Sequence, residues 1–268
     1  MGGVSSSIDN IIFRPPREKF NIYKMESKNC RVLTYYITSE KVIRMDQSGP
    51  SYTESKKLIT AIMVLPEKEV LGFPIKYIIF AHGNASDINT MFDYIKILAN
   101  ETRCRVVIFD YPGYGCSDGS ATEDGCCQAM DATVNQVMTR FNVSEKDIYL
   151  FGQSLGTGVV IDYAYRHKWK NNIVLISPYK SIMRVVTGSS MLRPFDRFCS
   201  INKIDKLTCA VKIFHGIDDI IIDVSHSKEL YDKLFNKKFQ PTYLLNTGHN
   251  NILSNIDTAD LLEVIYDK

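Results

Sequence analysis

The stretch Ile148-Tyr149-Leu150-Phe151-Gly152-Gln153-Ser154-Leu155-Gly156-Thr157-Gly158 leaves few folds open to this chain. A short apolar run ends in a Gly-x-Ser-x-Gly turn, and an apolar-rich, helix-compatible segment follows. A chain that passes from strand to helix within one residue turns so sharply that Ser154 is expected in a strained conformation. Its hydroxyl is then thrust out at the edge of the sheet. Gly152 and Gly156 flank it, because a Cβ at either place would collide with the neighbouring strand or helix. The helix that opens here aims free N–H groups and its positive dipole end at the same point. The five-residue string alone is weak. With a strand before it and a helix after it, Ser154 becomes the candidate nucleophile.

The rest of the chain supplies a sheet for that turn. Short apolar runs at 77–80, 106–109, 148–151, 173–176, 211–214 and 242–245 do not alternate with polar residues, which suits parallel strands buried on both faces. Earlier, 32–38 and 58–65 read as two further strands, antiparallel to one another, with a polar loop at 46–57 between them. Helical stripes lie between the runs. Ile88, Met91, Phe92, Ile95 and Leu98 mark one, capped by Ser86 or Asp87. Met130, Val134, Val137, Met138 and Phe141 mark another, with Thr122 as its cap and Glu123 and Asp124 in its first turn. Alternation of strand and helix predicts an α/β fold with a mostly parallel, doubly wound sheet. No internal repeat or low-complexity tract interrupts it. The expected organisation is an N-terminal targeting segment at 1–30 and a single domain at 31–268.

Composition narrows the function. The 268 residues carry 32 basic and 30 acidic side chains, a net charge of +2, which gives nucleic acid no basic footprint. Hydrophobic residues make up 45% and charged residues 23%, ordinary values for a globular chain. Seven cysteines, with no C-x-x-C pair, argue against a disulfide scaffold or a zinc site and for reduced thiols in the cytosol. Nothing in the sequence calls for a metal or a cofactor. No apolar run reaches the length of a membrane span, and no signal-peptide core appears at the start. Met1-Gly2-Gly3-Val4-Ser5-Ser6 does match the N-myristoylation pattern, with Gly2 as the acceptor. Arg14, Arg17, Lys19, Lys24 and Lys28 then form a modest basic patch, offset by Glu18 and Glu26. These features together predict a peripheral protein on the cytoplasmic face of a membrane.

A serine hydroxyl is a poor nucleophile near neutral pH, so Ser154 needs a base, and the base needs an orienting acid. His249, in Thr247-Gly248-His249-Asn250 after the last strand, is the candidate base. His82 and His215 each end a strand in a His-Gly pair, where packing or turn hydrogen bonding is the usual role. His167 lies among charged residues, and His226 lies in a helical pattern. Asp218 and Asp219 both follow the strand at 211–214, and either could reach His249. Asp110 precedes Ser154 and reads as a loop organiser. The oxyanion hole is expected from the backbone N–H of Leu155 and that of Asn84 in His82-Gly83-Asn84-Ala85, where Gly83 lets the backbone come close.

His82-Gly83-Asn84-Ala85, Asp110-Tyr111-Pro112-Gly113-Tyr114-Gly115 and Gly152-Gln153-Ser154-Leu155-Gly156 together resemble the alpha/beta-hydrolase domain-containing protein 17 group. So do Ser177-Pro178, His215-Gly216-Ile217-Asp218-Asp219 and Gly248-His249-Asn250, and the wider set is the Bem46-like serine hydrolases. The likeness runs from about Leu58 to the end. It implies an alpha/beta-hydrolase fold with a short cap, and its acid-loop motif puts the triad aspartate on Asp219 beside Ser154 and His249. The group is implied to consist of membrane-associated thioesterases that remove palmitate from protein cysteines. Two departures stand out. Animal members carry an N-terminal cysteine cluster, whereas the first cysteine here is Cys30, so a Gly2 myristoyl chain would stand in as the anchor. The stretch 39–57 is also longer than the group's.

The resemblance and the residues together lead to a monomeric serine hydrolase acting on S-acylated proteins. A carboxylesterase or lipase for small or lipid esters would use the same machinery. A peptidase fits less well, because selecting peptides usually takes an extra domain. A non-catalytic scaffold on the same fold is the alternative from another class, and the intact Ser154, Asp219 and His249 set speaks against it. The cap is expected at 179–207, where Met183, Val185, Val186, Met191, Leu192, Phe195 and Phe198 would either line an acyl groove or pack the cap onto the sheet.

Overall fold

The structure is a computed structural model, and it describes residues 9, 12–16, 20–22, 25–27, 30–39, 45–46, 49–50, 57–69, 74–187 and 196–266. Gly2, most of the basic patch, and the cap residues Met191, Leu192 and Phe195 lie outside the described residues, and so does the side chain of Val186.

Eight strands form one sheet. They are β1 (Arg31–Ser39), β4 (Lys57–Leu65), β5 (Tyr77–Ala81), β6 (Arg105–Phe109), β7 (Ile148–Gln153), β8 (Ile173–Ile176), β9 (Val211–Gly216) and β10 (Thr242–Leu244). Their order is β1-β4-β6-β5-β7-β8-β9-β10, and only β4 runs against its neighbours. The non-alternating runs have a direct physical cause. Tyr77, Ile79 and Ala81 of β5 join one hydrophobic core, while Ile78 and Phe80 join the other, so every position of the strand is buried. The expected elements are departed from at β10, an edge strand that ends at Leu244 and is half-buried rather than buried on both faces, and at a pair of two-residue strands, β2 (Met45–Asp46) and β3 (Gly49–Pro50). They pair antiparallel inside the stretch read as loop.

Helices cover both faces. α1 (Ile88–Thr102) and α7 (Thr258–Tyr266) pack on one, and α2 (Glu123–Phe141) and α3 (Leu155–His167) on the other. Asp87 is the α1 cap, with a reciprocal capping box to Thr90. Thr122 caps α2 by accepting from Gly125 N–H at 3.0 Å. Three shorter helices complete the chain: α4 (Ile182–Thr187), α5 (Ser225–Lys233) and α6 (Ile252–Asn255). His226 lies on α5, as its pattern suggested, and accepts from the Lys180 N–H. In the cap region, α4 is followed by 3-10 turns at Ser200–Asn202 and Ile204–Lys206. Before β1, Ile12 and Phe13 enter one core and Ile22 and Cys30 the other. The first thirty residues therefore pack in part against the domain. Among the described residues no helix is long and apolar enough to cross a membrane.

Candidate active site

Three strand ends converge at the carboxyl edge of the sheet, where ligands of open α/β sheets bind. β7 delivers Ser154, β9 delivers Asp219 and β10 delivers His249. At the first of these the chain leaves β7 and enters α3 through Ser154 alone. Ser154 takes φ 50° and ψ −117°, a conformation L-residues avoid, so the turn is held by its surroundings. Ser154 N–H donates to the Ile176 carbonyl at 2.9 Å, which ties the turn to β8. The two flanking glycines are sterically required. A Cβ on Gly156 would lie 2.0 Å from the Ala81 carbonyl oxygen, and one on Gly152 would lie 2.5 Å from the Gly156 carbonyl oxygen. Gly83 differs from its sequence expectation. A Cβ there would meet Ser154 Cβ at 3.7 Å, an ordinary contact, so close approach does not demand glycine at that position.

Ser154 Oγ lies 3.0 Å from His249 Nε2, and His249 Nδ1 lies 2.7 Å from Asp219 Oδ2. Asp219 is buried and Asp218 is exposed, so the turn after β9 presents the second of the two carboxylates to His249. Asp218 N–H instead donates to the Thr247 carbonyl at 3.0 Å, joining the acid loop to the histidine loop. Burial alone would raise the Asp219 pKa. Donors from His215, His249 and the Ile222 N–H overcome that and hold it well below the usual carboxylate range. The Asp219 anion is thus fixed, and His249 keeps Nδ1–H toward it, which leaves Nε2 free to accept the serine proton.

The loop after β5 closes the other side. Gly83, Asn84, Ala85 and Ser86 line the same cavity as Ser154, Leu155 and His249. Among the described residues, no hydrogen bond links the backbone N–H of Leu155 or of Asn84 to another protein group. His82 is buried beneath this loop. Its Nδ1–H donates to the Gly83 carbonyl at 2.8 Å, and desolvation pulls its pKa down to about 4, so the ring is neutral. Tyr111 and Tyr114 pack on His82, with ring centroids 4.2 and 5.5 Å away. Tyr111 Oη donates to the His82 carbonyl at 2.8 Å, and Tyr114 Oη donates to Asn84 Oδ1 at 2.7 Å. Asp110 accepts from Ile88 N–H at 2.8 Å and so fixes the start of α1. The Asp110–Gly115 motif is therefore the scaffold of the loop that carries Asn84.

The cavity measures about 490 Å³, within the range of roughly 300–1,000 Å³ common for small-molecule sites. Its walls are mostly apolar, including Ile12, Tyr179, Met183, Val185 and Ile222. Met183 and Val185 line it as a groove would require, whereas Phe198 is buried against Gly158 of α3 and the Phe13 ring. Sequence reasoning missed Ile12, Tyr114 and His215 as parts of this site. The Ile11-Ile12-Phe13 run was the only visible sign of the first. Among the described residues no group of His, Cys, Asp or Glu is placed to hold a metal ion.

Sheet order, helix placement and a strained serine between strand and helix define the class. This chain belongs to the alpha/beta-hydrolase family. The model of the alpha/beta hydrolase fold matches residues 76–197. Protein L404 of Acanthamoeba polyphaga mimivirus, named for the same hydrolase class, is 45% identical over 98% of this chain and 94% of its own. Alpha/beta hydrolase domain-containing protein 17C of Homo sapiens is 35% identical over 65% of this chain and 53% of its own, so the match spans about half of that protein. Among solved structures, the Pyrococcus furiosus esterase Pf2001 shares the fold, with a TM-score of 0.66 over 90% of this chain and 93% of that one at 17% identity.

Proposed function

We propose that the protein is a serine hydrolase that cleaves S-acyl thioesters of lipidated proteins. The observation that carries this reading is the Ser154–His249–Asp219 relay, set at the floor of an apolar cavity beside two backbone N–H groups without protein partners. In the first half-reaction His249 Nε2 takes the Ser154 hydroxyl proton as Oγ attacks the acyl carbonyl carbon. The carbonyl oxygen becomes an anion, which the Leu155 and Asn84 N–H groups receive. Collapse breaks the C–S bond, and His249 returns the proton to the departing sulfur. In the second half, His249 deprotonates a water that attacks the acyl-serine, and the carboxylic acid and Ser154 are released. A thiol has a pKa of about 8.5, so a thiolate leaves with less help from a general acid than an amide nitrogen needs.

Similarity to the domain-containing protein 17 sequences supports the thioester substrate, and the apolar cavity supports an acyl chain as the group bound. The scaffold alternative would leave the strained serine and its relay without a use. Hydrolysis of small or lipid esters is the second reading, favoured by the fold shared with an esterase. Each CH₂ buried in the cavity is worth about 0.8 kcal/mol, so acyl-chain length discriminates the two. The deciding measurement is kcat/KM across matched thioester and oxygen-ester series from acetyl to palmitoyl. A rise with chain length on thioesters is expected. A steady preference for acetyl or butyryl in both series would transfer the assignment to a carboxylesterase. Attachment to the cytoplasmic face of a membrane through myristoyl Gly2 belongs to the same reading.

A further inference from the structure

Ile12 lines the pocket, and the reaction outlined above makes no use of it or of its neighbours Asp9, Phe13 and Arg14. Phe13 N–H donates to the Asp9 carbonyl at 2.9 Å. At one end, Arg197 Nε donates to Asp9 Oδ1 at 3.1 Å, and both side chains are largely buried. Asp196, next to Arg197, accepts from Met183 N–H at 2.9 Å, so this end is tied to a residue of the pocket wall. Phe13 meets Phe198 edge-on, with ring centroids 6.5 Å apart. At the other end the Asn84 carboxamide makes three hydrogen bonds. Its Nδ2 donates to the Ile12 carbonyl at 2.7 Å, and its Oδ1 accepts from Arg14 N–H at 2.9 Å and from Tyr114 Oη at 2.7 Å. Ile12, between these ends, is 7% exposed and lines the cavity that holds Ser154.

The geometry points to Asp9, Ile12, Phe13 and Arg14 as a clamp arm of the active site. The Asn84 carboxamide is the positioning group through which the arm fixes the Asn84 backbone N–H as an oxyanion donor, and Ile12 is a specificity-determining wall of the acyl channel. The inference rests on the serine-hydrolase part of the reading above and is independent of the thioester substrate. A donor stabilises an oxyanion only if it is already oriented when charge develops. A Cβ at Gly83 would make only ordinary contacts, so no close approach at that glycine fixes the neighbouring Asn84 N–H. Three hydrogen bonds to the carboxamide do that, and two of them come from the arm. A displacement of about 1 Å costs on the order of a hundredfold in rate, so losing the arm reads out in kcat. Because the arm also reaches the cap through Arg197, its release loosens the oxyanion loop and the pocket wall together.

The test uses the full chain with p-nitrophenyl acetate, p-nitrophenyl decanoate and a fluorophosphonate. Asn84→Ala is expected to lower kcat on the acetate by about tenfold or more with KM nearly unchanged, and to slow phosphonylation in parallel. The midpoint of the pH–rate profile stays where it is in the wild type, as a general loss of folding would not produce. A chain beginning at Pro15 after its initiator Met is expected to show a similar loss. Adding Asn84→Ala to it then costs little more, because the two act through one contact. Ile12→Trp is expected to lower kcat/KM on the decanoate far more than on the acetate. Where the shortened chain fails to fold by circular dichroism, the cycle of Asp9→Asn with Asn84→Ala decides, with coupled losses expected. Full kcat in Asn84→Ala, independent losses in the cycle, or an unmoved length profile in Ile12→Trp overturns the arm. A wild type inert to the fluorophosphonate removes the hydrolase reading and the arm together, whereas a reactive wild type with independent variants removes the arm alone.

Discussion

Asp219 works as an anion because donors surround it. Ile221 and Ile222 N–H donate to Oδ1 at 2.9 and 2.8 Å, and His249 Nδ1 lies 2.7 Å from Oδ2. His215 Nε2, which also lies 2.8 Å from the Ile222 carbonyl, stands 3.4 Å from the same Oδ2. An amide in this place presents an N–H to groups that are themselves donors and leaves the His249 tautomer unsupported. Asp219→Asn is therefore expected to lower kcat by about 10⁴-fold. Asp218→Asn, on an exposed side chain, is expected to keep most of the activity. Kinetics of the two variants on one ester check this, and the reverse order would move the acid to Asp218. Fluorophosphonate labelling is expected in the wild type and absent in Ser154→Ala, and full turnover by Ser154→Ala would dismiss Ser154 as the nucleophile. The serine and the histidine were legible from the chain because each sits in a short motif just past a strand. The choice between two adjacent aspartates was not, since it depends on how the turn after β9 is bonded. The resemblance pointed to Asp219, and the structure places that residue against His249.

At the level of elements, the joint between β7 and α3 carries the site. Residues 155–164 of α3 are all buried, so the helix lies flush on the sheet, and Gly156 is where its backbone meets the end of β5. Gly156→Ala forces a methyl against the Ala81 carbonyl, and neither backbone can yield alone. Urea denaturation is expected to show a loss of about 3 kcal/mol or more, the upper part of the range for overpacking. Gly83→Ala meets only ordinary contacts and is expected to cost less than about 1 kcal/mol. Equal losses would mean that the close approach at Gly156 is absent in solution. The strands were readable because burial on both faces leaves no polar alternation, and the helices because their stripes and caps are local. The arm before β1 was not. Its partners, Asn84 and Arg197, lie 72 and 188 residues further along the chain from Ile12 and Asp9, and no local period records contacts at that range.

The whole molecule couples two cores through one sheet, and its buried titratable groups set how that assembly answers to pH. Under the proposed Gly2 anchor, whose single myristoyl chain would give only marginal binding, Gly2→Ala is expected to move the protein into the supernatant on sedimentation with vesicles, without changing turnover of a small ester. Unchanged partition would reject the anchor. The pH response follows chiefly from three groups, with Glu123, whose pKa burial also raises, acting in the same sense as Asp110. Burial pulls the pKa values of His82 and His226 down from 6.5 to about 4, His226 with help from the nearby Lys180 charge. Burial pushes Asp110 up from 3.8 to about 7, against hydrogen bonds from the Ile88 and Cys116 N–H groups. The histidine contributions are full above pH 6.5 and are lost as pH falls through 4. The Asp110 contribution has the opposite sign, full below 3.8 and lost as pH rises through 7. Between these limits the unfolded chain holds two histidine protons that the native protein lacks, and the native protein holds one aspartate proton that the unfolded chain lacks. Unfolding therefore takes up about one net proton, and stability falls as pH drops from 6.5 to 4. Between 6.5 and 7 the two histidines no longer differ and Asp110 still does, so stability declines slowly there as pH rises, and the maximum lies near 6.5. Carboxylates held low, Asp219 and Asp162, add their loss only as pH falls below 3.8. Asp110→Asn removes the opposing proton, so the acid-side slope is expected to roughly double and the decline above 6.5 to vanish. Urea titrations at half-unit steps from pH 4.5 to 8 measure both slopes. An acid-side slope that Asp110→Asn leaves unchanged would show that Asp110 is ionised in the native protein, with His82 and His226 alone setting the acid limb.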